Sequence, residues 1–245
     1  YYPEDVQSRI YTPEIVRPGL QMAGYFDLFA FERVQIMGKT EMYYIRTLSE
    51  DVKRIYSLAG YNSNDIVVIP NFTEFDFNDT YIAKKPGQFF NLIYVGRLDK
   101  CKGVDTLIKA VNLMLISETR TLVKLTIIGD GPEKNPLQKL VKELGIEDHV
   151  NFEGYISHSN IMEFYKIADV FVHPCLFPEP FGRTIIEAMS FGLPCIVSDK
   201  GAPPEIVSNA GLVHTAGDYR DLYKKIKLLR DNDNLGLAEQ FPKYL

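Results

Sequence analysis

Two carboxylates flank a loop-to-helix junction in residues 178–187, which read PEPFGRTIIE. The two prolines disfavour a helix before the Phe-Gly pair, so the sequence predicts Glu179 in a loop and Glu187 about one turn inside the following helix. A helix start offers unpaired N–H groups and the positive end of the helix dipole, which together suit an anion. Carboxylates beside an anion site suit a ligand with both hydroxyls and phosphates, and a nucleotide sugar fits that description. Taken singly, each carboxylate has a structural alternative, as an exposed loop residue for Glu179 and a helix-dipole partner for Glu187.

A second charged loop carries Arg97 and Lys102, each next to a glycine, Gly96 and Gly103 respectively. A guanidinium grips phosphate with two parallel hydrogen bonds, and an ammonium adds a mobile point charge. The pair is suited to neutralise a diphosphate both in binding and as it leaves. A solvated basic loop is the alternative interpretation.

From about residue 89, short apolar runs alternate with amphipathic stretches, a pattern typical of a parallel sheet covered on both faces. The sequence predicts an α/β, Rossmann-like, doubly wound domain with strand order 3-2-1-4-5-6, whose crevice opens between strands 1 and 4. The basic loop follows strand 1 and the Glu179 segment follows strand 4, so both are expected at the carboxyl ends of the two strands that flank this crevice. The predicted strands are Leu92–Gly96, Leu122–Gly129, His149–Gly154, Asp169–His173, Pro194–Ser198 and Gly211–His214. The predicted helices are 103–117, 134–144, 158–167, 182–192 and 218–230, with a shorter turn near 203–208.

The part before residue 89 is less regular. Residues 1–71 are predicted as a partial N-terminal domain, 72–88 as a linker and 89–245 as the C-terminal domain. Within the first part, the sequence predicts a strand from Glu41 to Ser49, a helix through Leu58 and a strand at Ile66–Ile69. The first 40 residues show helical patterning.

Composition excludes several classes of function. The net charge is −5, with 27 basic and 32 acidic residues interspersed, which argues against a nucleic-acid surface. No apolar run is long enough for a membrane span, and the three cysteines lack metal spacing, which favours a reduced, cytoplasmic setting. The loop after the first predicted strand lacks Gly-x-Gly-x-x-Gly, which argues against NAD. We therefore expect no cofactor and no metal.

Two further residues at strand ends receive structural interpretations. His173, at the end of the fourth predicted strand, is interpreted as a packed wall residue rather than a catalytic base. Gly201, after the fifth, is interpreted as allowing close approach of a ligand.

The motifs together resemble the family 4 glycosyltransferases of the GT-B fold, over roughly residues 64–230. The resemblance rests on five short stretches in order: Gly96-Arg97-Leu98 with Lys102-Gly103, Gly129-Asp130-Gly131-Pro132, Glu179 and Glu187 within EPFGRTIIE, Glu187-Ala188-Met189, and Gly192-Leu193-Pro194. Such enzymes place two Rossmann-like domains around a cleft, and the C-terminal one holds the nucleotide-sugar donor without an obligatory metal. The resemblance implies a retaining transfer of a sugar from a nucleoside-diphosphate sugar to a hydroxyl of a carbohydrate or lipid-linked acceptor.

Carried onto this chain, the resemblance implies roles for named residues. Arg97 and Lys102, together with Gly96, would bind the diphosphate. Arg97, Lys102 and Glu179 would be the catalytic residues. Glu179 would contact the sugar, with the backbone amides of Phe181 and Gly182 nearby, and Glu187 would hold the ribose.

The chain departs from the family before the linker. About 88 residues stand where the family has a full acceptor domain, and none of them is a histidine. We therefore expect one of three explanations: a truncated chain, a reduced acceptor domain, or a partner chain that supplies the rest. The alternative function is a non-catalytic nucleotide-sugar-binding subunit, and a position peripheral to a membrane stays open.

Overall fold

The computed structural model describes residues 30–36, 40–73, 89–118 and 122–232. The chain divides into two compact units, Tyr1–Asn71 and Phe72–Leu245. Most of the predicted linker, residues 74–88, lies outside the described residues, so the linker and the domain roles stay predictions.

The described residues of the N-terminal unit form a three-stranded sheet and one α-helix. Strand β1 (Ala30–Ile36) pairs antiparallel with β2 (Thr40–Thr47), which pairs parallel with β3 (Ile66–Val68). Helix α1 (Glu50–Leu58) starts at Ser49, whose hydroxyl accepts from the backbone N–H of Val52 and satisfies one of the unpaired groups of the first turn. The strand and helix predicted after residue 40 are confirmed. Helical patterning is wrong for residues 30–36, which form β1 by pairing with β2; residues 1–29 lie outside the described part.

The C-terminal unit is built on a six-stranded parallel sheet. Its strand order is β6-β5-β4-β7-β8-β9, which confirms the predicted 3-2-1-4-5-6. The strands are β4 (Phe90–Val95), β5 (Val123–Ile128), β6 (Val150–Gly154), β7 (Val170–His173), β8 (Cys195–Ser198) and β9 (Gly211–His214).

Six α-helices among the described residues cover the two faces of this sheet. One apolar layer contains side chains of α2 (Val104–Ser117), α3 (Lys134–Leu144) and α7 (Tyr219–Asp231). The other contains side chains of α4 (His158–Ile167), α5 (Arg183–Ser190) and α6 (Pro203–Val207). Successive strand residues point to opposite faces, so a strand covered on both sides is apolar throughout. Every residue of β7 and β8 is buried, which explains their nearly continuous apolar sequence.

Candidate functional site

Two loops meet at the carboxyl edge of the central strands. Strands β4 and β7 are neighbours in the sheet, so the loops that follow them share one edge. The backbone N–H of Leu176 donates to the carbonyl oxygen of Cys101 at 2.7 Å, and the Cys175 thiol donates to the same oxygen at 3.3 Å. Both loops therefore follow the two strands that flank the switch point, as predicted, and the structure also brings them into contact.

Lys102 and Glu179 form an ion pair between these loops. Lys102 Nζ lies 2.5 Å from Glu179 Oε2, and the side chains are 27% and 16% exposed. Burial acts to lower the pKa of Lys102, but the Glu179 carboxylate outweighs it, so the pKa is raised and the amine stays charged. The sequence assigned the two residues to one site but to different parts of a ligand, and it did not predict that they contact each other.

His173 is the second basic group beside Glu179. It ends β7 with 4% of its surface exposed, and its Nε2 lies 3.8 Å from Glu179 Oε2. The pKa of His173 is lowered to about 4. Burial is the main cause, the Glu179 carboxylate acts in the opposite direction, and the Lys102 ammonium acts in the same direction as burial. The ring is therefore neutral near pH 7. Sequence reasoning placed His173 as a wall residue, and its position six residues before Glu179 was the available signal for this contact.

A third loop fixes the backbone of Glu179. The carbonyl of Glu179 accepts from the N–H of Ala202 at 2.8 Å, and Glu179 forms a bridge with Gly201. A Cβ on Gly201 would lie 2.4 Å from both the nitrogen and the oxygen of Glu179, and its φ of +76° also favours glycine. Gly201 therefore admits the backbone of Glu179, where the sequence analysis expected it to admit a ligand.

Glu187 lies in α5, as predicted, with 6% of its surface exposed. Two side chains of α4 contact its carboxylate. The Tyr165 hydroxyl donates to Oε2 at 3.3 Å, and His158 Nε2 lies 3.5 Å from Oε1. Burial, and then the charge of Glu187, raise the pKa of Tyr165 well above its usual value, so the phenol keeps its proton and can only donate to the carboxylate. Sequence reasoning missed both contacts.

Phe181 and Gly182 form the junction between Glu179 and α5. Phe181 is buried, and Gly182 precedes the helix with a φ of +84°. A Cβ on Gly182 would lie 2.7 Å from Ile185 Cδ1 and 3.5 Å from Glu179 Cγ. The start of α5 and the Glu179 side chain are therefore adjacent, as the sequence predicted for an anion site beside a carboxylate.

The loop after β4 is held in place by backbone contacts. Gly103 has a φ of +66°, and a Cβ there would lie 2.2 Å from the carbonyl oxygen of Pro174, so only glycine fits between the two loops. The Tyr94 hydroxyl donates to the carbonyl of Arg97 at 2.9 Å. These contacts place Lys102 opposite Glu179.

Arg97 has a different environment from Lys102. Its Nε lies 2.6 Å from Asp99 Oδ2, and 72% of its side chain is exposed. It stands next to Gly96 at the end of β4, and a Cβ on Gly96 would meet the Tyr94 hydroxyl at 2.8 Å. The guanidinium therefore lies on the surface of the same loop, in an ion pair with Asp99.

Two classes of feature are absent from the described residues. The part of the chain that the structure describes has no group of three or more His, Cys, Asp or Glu residues placed to hold a metal ion. In the same part, no helix combines the length and apolarity needed to cross a membrane.

The family of the chain follows from a comparison with known protein families. Residues 78–244, more than half of the chain, match the family described as glycosyl transferases group 1. The chain belongs to this family. Residues 1–77 match a different family, described as the HPr serine kinase N terminus.

Curated relatives of the chain include further glycosyltransferases. An uncharacterized glycosyltransferase of Methanocaldococcus jannaschii is 37% identical over 118 residues, which cover 48% of this chain and 29% of the relative. The O-antigen chain mannosyltransferase B of Escherichia coli is 27% identical over 207 residues, covering 76% and 53% respectively. A GDP-mannose-dependent phosphatidylinositol monomannoside mannosyltransferase of Mycobacterium tuberculosis is 33% identical over 135 residues, covering 52% and 34%. The matched parts span about a quarter to a half of these relatives.

The fold is shared with solved glycosyltransferase structures. HepE of Anabaena in complex with UDP and glucose superposes with a TM-score of 0.69 at 24% identity, covering 81% of this chain and 57% of that one. The lipopolysaccharide outer core galactosyltransferase WaaB superposes with a TM-score of 0.67, also at 24% identity, covering 82% and 57%. The predicted α/β fold of GT-B type is therefore confirmed.

Proposed function

We propose that this chain binds a nucleoside-diphosphate sugar and carries the donor side of a glycosyltransferase that moves the sugar to a hydroxyl acceptor. The observation that carries the proposal is the Lys102–Glu179 pair at 2.5 Å, between the loops that follow the two central strands. In doubly wound sheets, ligands bind where the strand order reverses, and here that point lies between β4 and β7. Family membership and the UDP bound by HepE support the same conclusion.

The donor diphosphate is assigned to the basic loop and the start of α5. Lys102 stays charged, and Arg97 is exposed and movable, so both cations can reach a diphosphate. The N–H groups at the start of α5 add donors and a favourable dipole beside them. As the bond to the sugar breaks, negative charge grows on the diphosphate, and one preorganised donor aimed at such charge contributes about 3–4 kcal/mol.

The sugar is assigned to Glu179 and the ribose to Glu187. Glu179 is fixed through its backbone and lies beside Gly182, so its carboxylate can accept hydrogen bonds from sugar hydroxyls. Glu187 is oriented by Tyr165 and His158 and can accept from ribose hydroxyls. The contacts with Tyr165 and His158 hold this second carboxylate against α4.

Retention of configuration is part of the proposal. Glu179 balances the charge of Lys102 in the ligand-free site, and we assign it to binding and charge balance rather than to a covalent intermediate. The leaving diphosphate then helps to deprotonate the acceptor hydroxyl on the same face of the sugar, through an oxocarbenium-like transition state. No metal is assigned to the reaction.

A second candidate is a nucleotide-sugar-binding subunit that needs a partner for activity. The observation that favours it is the N-terminal match, since residues 1–77 match the HPr serine kinase N terminus rather than the group 1 family. Under this alternative, donor binding persists, and the acceptor side comes from another chain. A carbohydrate or lipid-linked acceptor is proposed in both cases.

Calorimetry with UDP, GDP and ADP, with and without magnesium, tests donor binding. We expect one nucleotide to bind without magnesium, and we expect Lys102→Gln to weaken it while Lys109→Gln does not. Lys109 is the matched control because it forms a surface ion pair with Asp105 on α2. Absence of binding for all three nucleotides would contradict the proposal. Slow hydrolysis of a nucleotide sugar by the chain, lost in Arg97→Ala and Lys102→Ala, would support the enzyme over the subunit.

A further inference from the structure

Glu179 has two basic neighbours, but only one of them is charged. Lys102 Nζ and His173 Nε2 approach the same carboxylate oxygen, at 2.5 and 3.8 Å. The lysine comes from the loop after β4, and the histidine ends β7, so the two reach the carboxylate from different elements. The carboxylate of Glu179 therefore lies beside one charged group, the Lys102 ammonium, and one neutral group, the His173 imidazole.

The proposed function, on which this inference rests, gives Lys102 a second partner. A diphosphate bound at the basic loop competes with Glu179 for the ammonium. A carboxylate with 16% of its side chain exposed then loses its cation while a doubly negative group arrives nearby. A buried charge without a partner is costly, so the site needs compensation at Glu179.

We propose that His173 is a positioning residue for Glu179 in the donor-bound state, in which it takes up a proton from solvent and replaces Lys102 as the cationic partner of the carboxylate. The proton comes from water and enters the ring at Nδ1, because Nε2 points to the carboxylate. Nδ1 accepts no hydrogen bond from the described residues, so its lone pair is available for the proton, and a backbone hydrogen bond of His173 itself favours the protonated ring.

The charges around His173 act in the direction that the proposal needs. Burial is the largest cause that keeps the ring neutral, Glu179 favours the proton, and Lys102 opposes it. His214, at the end of β9, also opposes the proton. That opposition acts only when His214 is itself protonated, and burial lowers the pKa of His214, whose Nδ1 contacts the carbonyl of Thr215 at 2.9 Å. Moving Lys102 away and adding a diphosphate both favour a protonated His173.

The first arm of the test needs no donor. The chain has 4 histidines, so their ring signals can be followed by NMR, and His173→Gln assigns the relevant one. At about pH 6, where an unperturbed imidazole is largely protonated, we expect a neutral His173 in the parent and a larger protonated fraction in Lys102→Gln. Lys102→Arg and the surface control Lys109→Gln should leave His173 neutral. An unchanged His173 signal in folded Lys102→Gln would overturn the proposal.

A second variant keeps this arm decisive if Lys102→Gln does not fold. Glu179→Gln removes the group that favours the proton, so His173 should then stay neutral to lower pH than in the parent. A His173 that titrates at higher pH in Glu179→Gln would also overturn the proposal.

The second arm uses UDP-glucose and GDP-mannose, whose diphosphates have no group that titrates in the histidine range. Calorimetry at about pH 6, in two buffers with different heats of ionisation, measures the protons taken up on binding. We expect a substantial fraction of a proton in the parent and close to none in His173→Gln, with His173→Asn as the substitute if that variant does not fold. Binding without proton uptake in the parent would overturn the role of His173 alone. No binding of either nucleotide sugar would overturn the proposed function and this role together.

Discussion

Lys102 Nζ lies 2.5 Å from Glu179 Oε2 and joins two loops whose residues are 77 positions apart in the chain. The contact brings together a cation assigned to the diphosphate and a carboxylate assigned to the sugar. In the absence of a ligand, each therefore satisfies the other. Under the proposed function one ligand contacts both members of this pair, so the two residues act as a unit rather than independently.

The pair should couple in stability measurements. Lys102→Gln leaves a poorly exposed carboxylate without a cation, so the double variant Lys102→Gln/Glu179→Gln should lose less free energy of unfolding than the two single losses summed. We expect a coupling of about 1–3 kcal/mol from urea denaturation. The exposed pair Lys109–Asp105 is the control, with an expected coupling of about 0.5 kcal/mol or less. Equal coupling energies for the two pairs would show that the partly buried position of Lys102 and Glu179 does not strengthen their interaction.

Substitution of Gly103 should lower the free energy of unfolding more than substitution of Gly145, a glycine with the same backbone conformation. Gly103 and Gly145 have φ of +66° and +67°. A Cβ on Gly103 would lie 2.2 Å from Pro174 O, whereas a Cβ on Gly145 would meet no atom of another part of the chain within 4 Å. Gly145→Ala should cost only the backbone strain, about 1–2 kcal/mol. Gly103→Ala should cost at least about 1 kcal/mol more, because the two loops must separate. The free energy of unfolding measures both, and similar losses would contradict the steric argument.

Glu187→Gln should weaken binding of a nucleoside diphosphate about 10- to 100-fold, because an amide replaces a carboxylate that accepts from ribose hydroxyls. The matched control is Glu163→Gln, which changes an exposed carboxylate of α4 paired with Lys166. The measurement is calorimetry with UDP and with its 2′-deoxy analogue, or with the corresponding pair for whichever base binds. If Glu187 holds the ribose, the penalty for the missing hydroxyl should shrink in Glu187→Gln. The same penalty in parent and variant would assign Glu187 to another part of the ligand.

Stability should fall as the pH falls through the histidine range. The pKa of His173 is lowered from 6.5 in the unfolded chain to about 4 in the folded one, so between these values the unfolded state binds the proton and the folded state does not. The contribution of His173 to the free energy of unfolding is therefore complete above pH 6.5 and is lost as the pH falls towards 4. The difference corresponds to about 3 kcal/mol. His173→Gln should flatten the dependence of the free energy of unfolding on pH in this window.

His214 contributes in the same direction, since burial lowers its pKa as well, so some slope should persist in His173→Gln. His149→Gln is the control for loss of an imidazole, because His149 Nδ1 contacts the carbonyl of Val123 at the opposite end of the strands. A slope in His173→Gln as steep as in the parent would show that His173 is protonated in the folded chain.

The order of elements in the C-terminal unit could be predicted from the sequence with good accuracy. Apolar runs such as Val170–His173 mark buried strands, and the alternation of strands and helices leaves few ways to wind a parallel sheet. Strand ends were displaced by one or two residues, and α5 ends at Ser190 rather than at 192. The topology also placed the loops that carry Lys102 and Glu179 at one edge, because parallel strands end on the same side.

The contacts inside the site could not be predicted in the same way. The partners of Glu187 are Tyr165 and His158 on another helix, and no spacing in the sequence connects them to it. Gly201 was predicted to allow close approach of a ligand, and its contact with the backbone of Glu179 was not predicted. Each of these contacts depends on how far two helices or loops approach each other after packing.

The sequence by itself determined the parallel sheet, the two loaded loops and the residue types available at their ends, because hydrophobic periodicity and backbone restrictions act locally along the chain. Only the tertiary structure decided that Lys102 pairs with Glu179, that His173 is buried and neutral beside them, and that Arg97 points to Asp99. Protonation and pairing depend on the distances and burial of groups far apart in sequence. Those quantities exist only once the sheet and its helices have packed.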